Sequence, residues 1–159
     1  MVENAIIQKA ADQLQQAYDS GIGCLPVREL LPEGDIDAAY EVQEVNTKRR
    51  LEAGGRLVGR KIGLTSKLVQ KQLGVDRPDF GMLFADMEIA DGEEVPSDKL
   101  LAPRVEGEIA YVLGKDLNVE NPTTTDVIKA IDYATPSIEI VDSRIKDWDI
   151  NIQDTIADN

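Results

Sequence analysis

Histidine is missing from the 159 residues. That one absence removes Ser-His-Asp and Cys-His nucleophile systems and histidine-ligated zinc. Cysteine occurs once, at Cys24, so no disulfide can close within the chain and no thiolate metal cluster can form. A reducing compartment suits such a chain, and the cytoplasm is the expected location. Aromatic residues make up 4% of the sequence, so the core must rest on Val, Ile, Leu and Ala. No apolar run reaches spanning length, and Met1-Val2-Glu3-Asn4 lacks the basic stretch and apolar run of a secretion signal. Basic residues are few: 17 Lys and Arg stand against 30 Asp and Glu, a net charge of −13. Nucleic acid and anionic membranes are bound through basic patches, so neither is an expected partner. A small anion stays within reach, because one pocket can differ in sign from the whole surface.

What is present is enough for one hydrophobic core, with 42% hydrophobic residues over a one-domain length. Ile6, Ile7, Ala10, Ala11, Leu14, Ala17 and Tyr18 predict a helix over 3–20 with one apolar stripe, stopped by Gly21 and Gly23. Pro26, Pro32 and Gly34 mark a loop. Asp35 is the expected N-cap of a second helix over 36–53, ended by Gly54-Gly55. Residues 57–64 read as a strand. Thr65 or Ser66 then caps a short helix through Leu73, closed by Gly74. Pro78-Asp79-Phe80-Gly81 reads as a turn-rich loop. Short strands are expected near 82–84, 87–90 and 93–95, the last two joined by an Asp91-Gly92 hairpin turn. Residues 104–113 form the clearest strand, followed by a helix over 126–133 and a strand over 137–141. Helices first and strands after predict an α+β fold. Residues 1–55 are the expected helical region and 56–159 the expected β-rich body, within one domain overall. No stop signal or closing element is visible before Asn159, so the β-body reads as unfinished.

Glu106 and Glu108 sit two apart on the expected strand and therefore share a face. Ala110 and Val112 lie beside them, which makes two like charges costly if that face is buried. Glu139 repeats the pattern as an acid within Ser137-Ile138-Glu139-Ile140-Val141. Three carboxylates suit a hard divalent cation and leave room for water or a chelating substrate. A solvated acidic face explains the spacing equally well. Acid-x-acid pairs also occur at 33/35, 35/37, 86/88, 91/93 and 147/149, and only the apolar setting separates 106/108 from them.

Lys61 shares its strand face with Leu57, Gly59 and Gly63. Glycines on either side leave open space around the side chain, often a place where a ligand approaches. An exposed lysine on an edge strand is the plainer reading. Asp79 follows Pro78 and precedes Phe80-Gly81. A carboxylate there can act as a general base or acid, while a turn aspartate beside proline is the commoner use.

Several longer strings occur together in order. They are Gly59-Arg60-Lys61-Ile62-Gly63-Leu64-Thr65-Ser66-Lys67, Gln70 to Gly81, Leu83-Phe84-Ala85-Asp86-Met87, Pro103 to Ala110, Val141 to Trp148 and Gln153 to Asn159. Together they resemble the 2-keto-4-pentenoate (2-hydroxypenta-2,4-dienoate) hydratases and the sister 4-oxalocrotonate decarboxylases, within the fumarylacetoacetase-like superfamily. The resemblance spans almost the whole chain and is weakest over the first 35 residues. It implies that Glu106, Glu108 and Glu139 ligate Mg²⁺ or Mn²⁺, and that Lys61 and Asp79 are the acid/base residues. It implies a mixed β-roll and a cytoplasmic homo-oligomer. The implied activity is that of a hydro-lyase in aromatic meta-cleavage catabolism, acting on a small anionic 2-hydroxy-2,4-dienoate to give a 4-hydroxy-2-oxo acid.

Members of that family continue well past the position of Asn159. The expectation is an incomplete β-roll whose scaffold is only partly present, poorly active without a complementing segment. Two other readings stand beside the hydratase. One is the decarboxylase, which would use the same metal and enol chemistry. The other is an inactive truncated homologue that serves as an interaction subunit.

Overall fold

The computed structural model describes residues 2–159, apart from the side chains of residues 2, 3 and 73. Two compact units divide the chain: Met1–Ala102 together with Ser143–Asn159, and Pro103–Asp142.

The first unit is organised by α1 (Val2–Ser20) and α2 (Ile36–Glu52). Ile7, Ala10, Ala11, Leu14 and Ala17 recur at helical spacing on α1, and all are buried. Gly21, left-handed at φ 65°, ends the helix. Asp35 caps α2 by accepting the Ala38 N–H at 3.0 Å, as expected from its place in the sequence. Ala38, Ala39 and Val42 meet the α1 stripe, and Val27, Leu31 and Ile145 complete the cluster.

A further element closes this core. Helix α5 (Ile152–Asp158) buries Ile156 and Ala157 in the same cluster. The sequence reading missed this helix. Its Asn151 cap and Asp154 form a reciprocal capping box. Asp154, wholly buried, also accepts the Arg28 N–H at 2.9 Å and the Arg28 guanidinium at 2.6 Å. Ile156 and Ala157 are buried in the core and Ile152 packs against it, too short an apolar signal to stand out in an acidic segment.

Strands β1 (Leu57–Gly63) and β2 (Asp79–Phe84) pair antiparallel, joined through α3 (Lys67–Leu73). Ser66 caps α3, and Gly74 ends it at φ 70°. The loop expected at Pro78–Gly81 is instead the start of β2, with Asp79 opposite Gly63 and Gly81 opposite Lys61. Proline lies just outside the strand, and glycine stands where the Lys61 side chain crosses, so neither interrupts pairing. The strands expected at 87–90 and 93–95 do not form. Ala85–Met87 is a 3₁₀ turn. Asp91-Gly92 does turn, with the Glu93 N–H bonded to the Ala90 carbonyl at 3.0 Å. Glu88, Glu93 and Glu94 crowd the flanks with like charge, which opposes cross-strand pairing.

In the second unit β3 (Arg104–Leu113) pairs antiparallel with β4 (Ile131–Val141). Helix α4 (Thr124–Ala130) lies between them in sequence, capped by Thr123 and Asp126. It starts and ends earlier than expected, because Ile131 and Tyr133 pair with Leu113 and Val112 rather than continue the helix. The α+β class stands. The described sheets each have two strands.

Candidate active site

The register of β3 and β4 sets Glu106 opposite Glu139 and Glu108 opposite Ser137. Directly opposed residues of an antiparallel pair project to the same side. One carboxylate oxygen from each of Glu106, Glu108 and Glu139 lies within 4.8 Å of the other two. Sequence spacing had linked Glu106 with Glu108, and strand pairing adds Glu139. Glu106 and Glu108 are exposed and Glu139 is half-buried, so the costly burial expected from Ala110 and Val112 does not occur. Like charges at such separations repel modestly in water. A divalent cation would turn that repulsion into ligation, and an all-oxygen donor set suits Mg²⁺, Ca²⁺ or Mn²⁺ better than softer metals.

Lys61 and Asp79 occupy a different place, on one face of the β1–β2 pair. Lys61 stands opposite Gly81 and Asp79 opposite Gly63. They are thus diagonal neighbours, a spacing of roughly 7–8 Å between strand positions. Lys61 is half-buried rather than an exposed edge lysine. Its stem crosses Gly81 so closely that a Cβ there would lie 2.5 Å from Lys61 Cε and 2.9 Å from Cγ. Asp79 is 2% exposed, and its Oδ1 is buried without a hydrogen-bond partner. A carboxylate oxygen left unpaired inside a protein costs stability, and such atoms are concentrated where chemistry is done.

Two side chains beside Asp79 escaped the sequence reading. The Phe80 N–H donates to the Tyr40 hydroxyl at 3.2 Å, and Gln43 Nε2 donates to the Phe80 carbonyl at 2.9 Å. Burial pushes the Tyr40 phenol above its ordinary value, the Phe80 N–H pulls it down, and the Asp79 charge raises it again. Gln43 falls on the buried face of α2 with Ala38, Ala39 and Val42. A buried glutamine on such a face was the available signal, since it must find partners.

No protein-family model matches the chain. Curated relatives do. The TodF product hydratase of Pseudomonas putida is 61% identical over 153 residues, covering 96% of this chain and 57% of the relative. A 2-keto-4-pentenoate hydratase of Paraburkholderia xenovorans is 53% identical over 152 residues, covering 96% and 56%. A 2-hydroxypent-2,4-dienoate hydratase of Pseudomonas putida is 44% identical over 159 residues, covering 99% and 72%. Among solved structures, 4-oxalocrotonate decarboxylase from Pseudomonas putida G7, complexed with magnesium and adipate, superposes with a TM-score of 0.88 at 32% identity. That match covers 98% of this chain and 59% of the decarboxylase. The same enzyme is also known complexed with calcium and acetate. The chain belongs to the 2-keto-4-pentenoate hydratase family. It spans 57% of the length of the TodF product hydratase.

Proposed function

We propose that this chain carries the acid/base and metal-binding residues of a hydratase that adds water to a 2-hydroxy-2,4-dienoate. The observation that supports it most directly is the convergence of Glu106, Glu108 and Glu139 within 4.8 Å. These three would hold a divalent cation, Mg²⁺ or Mn²⁺. When bound, such an ion supplies Lewis acidity at the substrate oxygens. Family membership, rather than a distance between the two residue sets, supports giving Lys61 and Asp79 a part in the same reaction.

The dienol first becomes an unsaturated 2-oxo acid, its 2-hydroxyl giving up a proton as the far carbon gains one. Asp79 then takes a proton from water as the water oxygen bonds to carbon 4, and carbon 3 takes up a proton in turn. A buried oxygen with no bond to give up is available to accept it. The Lys61 ammonium assists proton movement or steadies the developing oxyanion. The product is a 4-hydroxy-2-oxo acid. The whole enzyme is a homo-oligomer whose mixed β-roll includes the strands described here.

A decarboxylase acting on 4-oxalocrotonate is the second reading, favoured by the TM-score of 0.88 to that enzyme. The higher identity to hydratases, 61% against 32%, favours the first.

Thermal unfolding with and without Mg²⁺ or Mn²⁺ tests the metal site, beside a Glu106→Gln/Glu108→Gln variant. A ligand confined to the native state stabilises it by about 2.7 kcal/mol at a hundredfold excess over its dissociation constant. A metal-dependent rise lost in the variant supports the site, and no rise in a cooperatively unfolding chain counts against it. Assays with the dienoate and with 4-oxalocrotonate then separate the two reactions. Activity on neither, with a full-length relative captured in a complex, would favour the interaction subunit.

A further inference from the structure

Antiparallel pairing turns the N–H and C=O of alternate residues toward the partner strand and those of the residues between them away from it. On β2 the outward groups belong to Phe80 and Met82, and side chains take the place of a neighbouring strand. Asn159 serves Met82: its Oδ1 accepts the Met82 N–H at 2.5 Å and its Nδ2 donates to the Met82 carbonyl at 3.0 Å. Helix α2 serves Phe80. Tyr40 accepts the Phe80 N–H at 3.2 Å, and Gln43 donates to its carbonyl at 2.9 Å.

Tyr40 and Gln43 are three apart, so they lie side by side on one helix face and can reach the same residue. Gln43 is 3% exposed, and its Nε2 also donates to the Ile156 carbonyl at 2.8 Å. The helix therefore grips β2 from a packed position, with α5 held in the same grip. Phe80 is the residue next to Asp79. Fixing both of its polar backbone groups leaves the Asp79–Phe80 peptide little freedom, and that peptide sets the direction of the Asp79 side chain. The Asp79 carboxylate is 2% exposed and packs against Gly63, but no hydrogen bond to its Oδ1 helps to select its direction.

We propose that Tyr40 and Gln43 are positioning residues for Asp79, holding the Phe80 backbone so that the carboxylate is fixed in one direction. The catalytic value of that direction rests on the reading of Asp79 as the base; the positioning itself does not. Neither Tyr40 nor Gln43 need touch substrate. A hydrogen bond to Tyr40 or from Gln43 that served merely to cover a strand edge would stabilise β2 without selecting an Asp79 rotamer.

Three-bond couplings of Asp79 by NMR read its side-chain rotamer populations directly, in the parent chain and in Tyr40→Phe and Gln43→Met. Each substitution keeps the shape: Tyr40→Phe removes the one bond to the Phe80 N–H, and Gln43→Met removes the bonds to the Phe80 and Ile156 carbonyls. One dominant rotamer is expected in the parent and averaging over several in both variants. An Asn159→Ala variant, which frees the same edge at Met82, is expected to leave the rotamer dominant. A single Asp79 rotamer retained in folded Tyr40→Phe and Gln43→Met overturns the proposal. So does equal averaging in Asn159→Ala, which would mean general loosening of the edge. If one variant fails to fold, the other decides. Hydration kinetics on the same samples add a second reading: kcat is expected to fall about tenfold with KM little changed, as for a misplaced catalytic group. An Asp79→Asn variant that hydrates at the parent rate would remove the base role while leaving the rotamer result to judge the positioning.

Discussion

Gly63 faces Asp79 across the β1–β2 pair so closely that a Cβ at position 63 would overlap Asp79 Oδ1. Position 63 therefore has no room for a side chain while Asp79 keeps its place. Gly59, on the same face, differs: a Cβ there would meet Leu83 at an ordinary 3.7 Å. Gly63→Ala is expected to cost about 1–3 kcal/mol, as forced insertions into packed sites do. It should also depress hydration by displacing the carboxylate. Gly59→Ala should stay within about 0.5 kcal/mol of the parent. Chemical denaturation of the two variants, side by side, checks the contrast. Equal behaviour would mean that the Asp79 side chain can move aside without cost.

The Arg28–Asp154 pair offers a larger effect. Asp154 is fully buried, while the Arg28 side chain keeps 25% exposure. Asp154 holds Arg28 above its ordinary value through their hydrogen bond, and Asp149 adds to it. Arg28→Leu strands a buried carboxylate, a change that costs about 3–5 kcal/mol. Urea unfolding measures it. A loss well below 1 kcal/mol would show that water reaches Asp154 once the arginine is gone.

Asn159 replaces a strand neighbour at Met82 with two bonds from one amide. Asn159→Asp keeps the acceptor and sets a carboxylate oxygen against the Met82 carbonyl. Each lost or frustrated bond of this kind is worth about 1–3 kcal/mol. Thermal unfolding should fall accordingly, and faster exchange of the Met82 amide in Asn159→Ala would locate the cause.

Acid should loosen α4. The Thr123 hydroxyl and backbone N–H hold the Asp126 carboxyl below the ordinary carboxylate range. A depressed folded-state value means that the contribution is fully present above the unfolded-state value. It is lost as pH falls through the folded-state value. The Thr124–Ala130 amide shifts should therefore track the Asp126 titration below the ordinary carboxylate range. An Asp126→Asn variant should lose that pH response.

Much of the first unit was legible in order of residues. The α1 stripe, the Asp35 and Ser66 caps and the glycine stops at 21 and 74 are local signals, each set by spacing or by a single cap. Strand β3 was legible for the same reason, and its bounds, Arg104–Leu113, are those expected. Strand β2 was not, because proline, aspartate and glycine at its start read as a turn. Pairing with β1 overrode that local preference, as tertiary context does for strands.

The sequence by itself determined the chemistry available: no histidine, one cysteine, and oxygen ligands for any metal. It also put Glu106 and Glu108 on one face, since that depends only on the two-residue period of a strand. Tertiary structure decided the rest. Glu139 joins that pair through a strand register that sets it opposite Glu106, 33 positions earlier. The Asp79 setting likewise depends on β1 across from it and on Tyr40 and Gln43 reaching over from α2. Spacing along a chain predicts which side chains share a face, but which faces meet is settled when long loops close and the packing they permit outweighs their entropy.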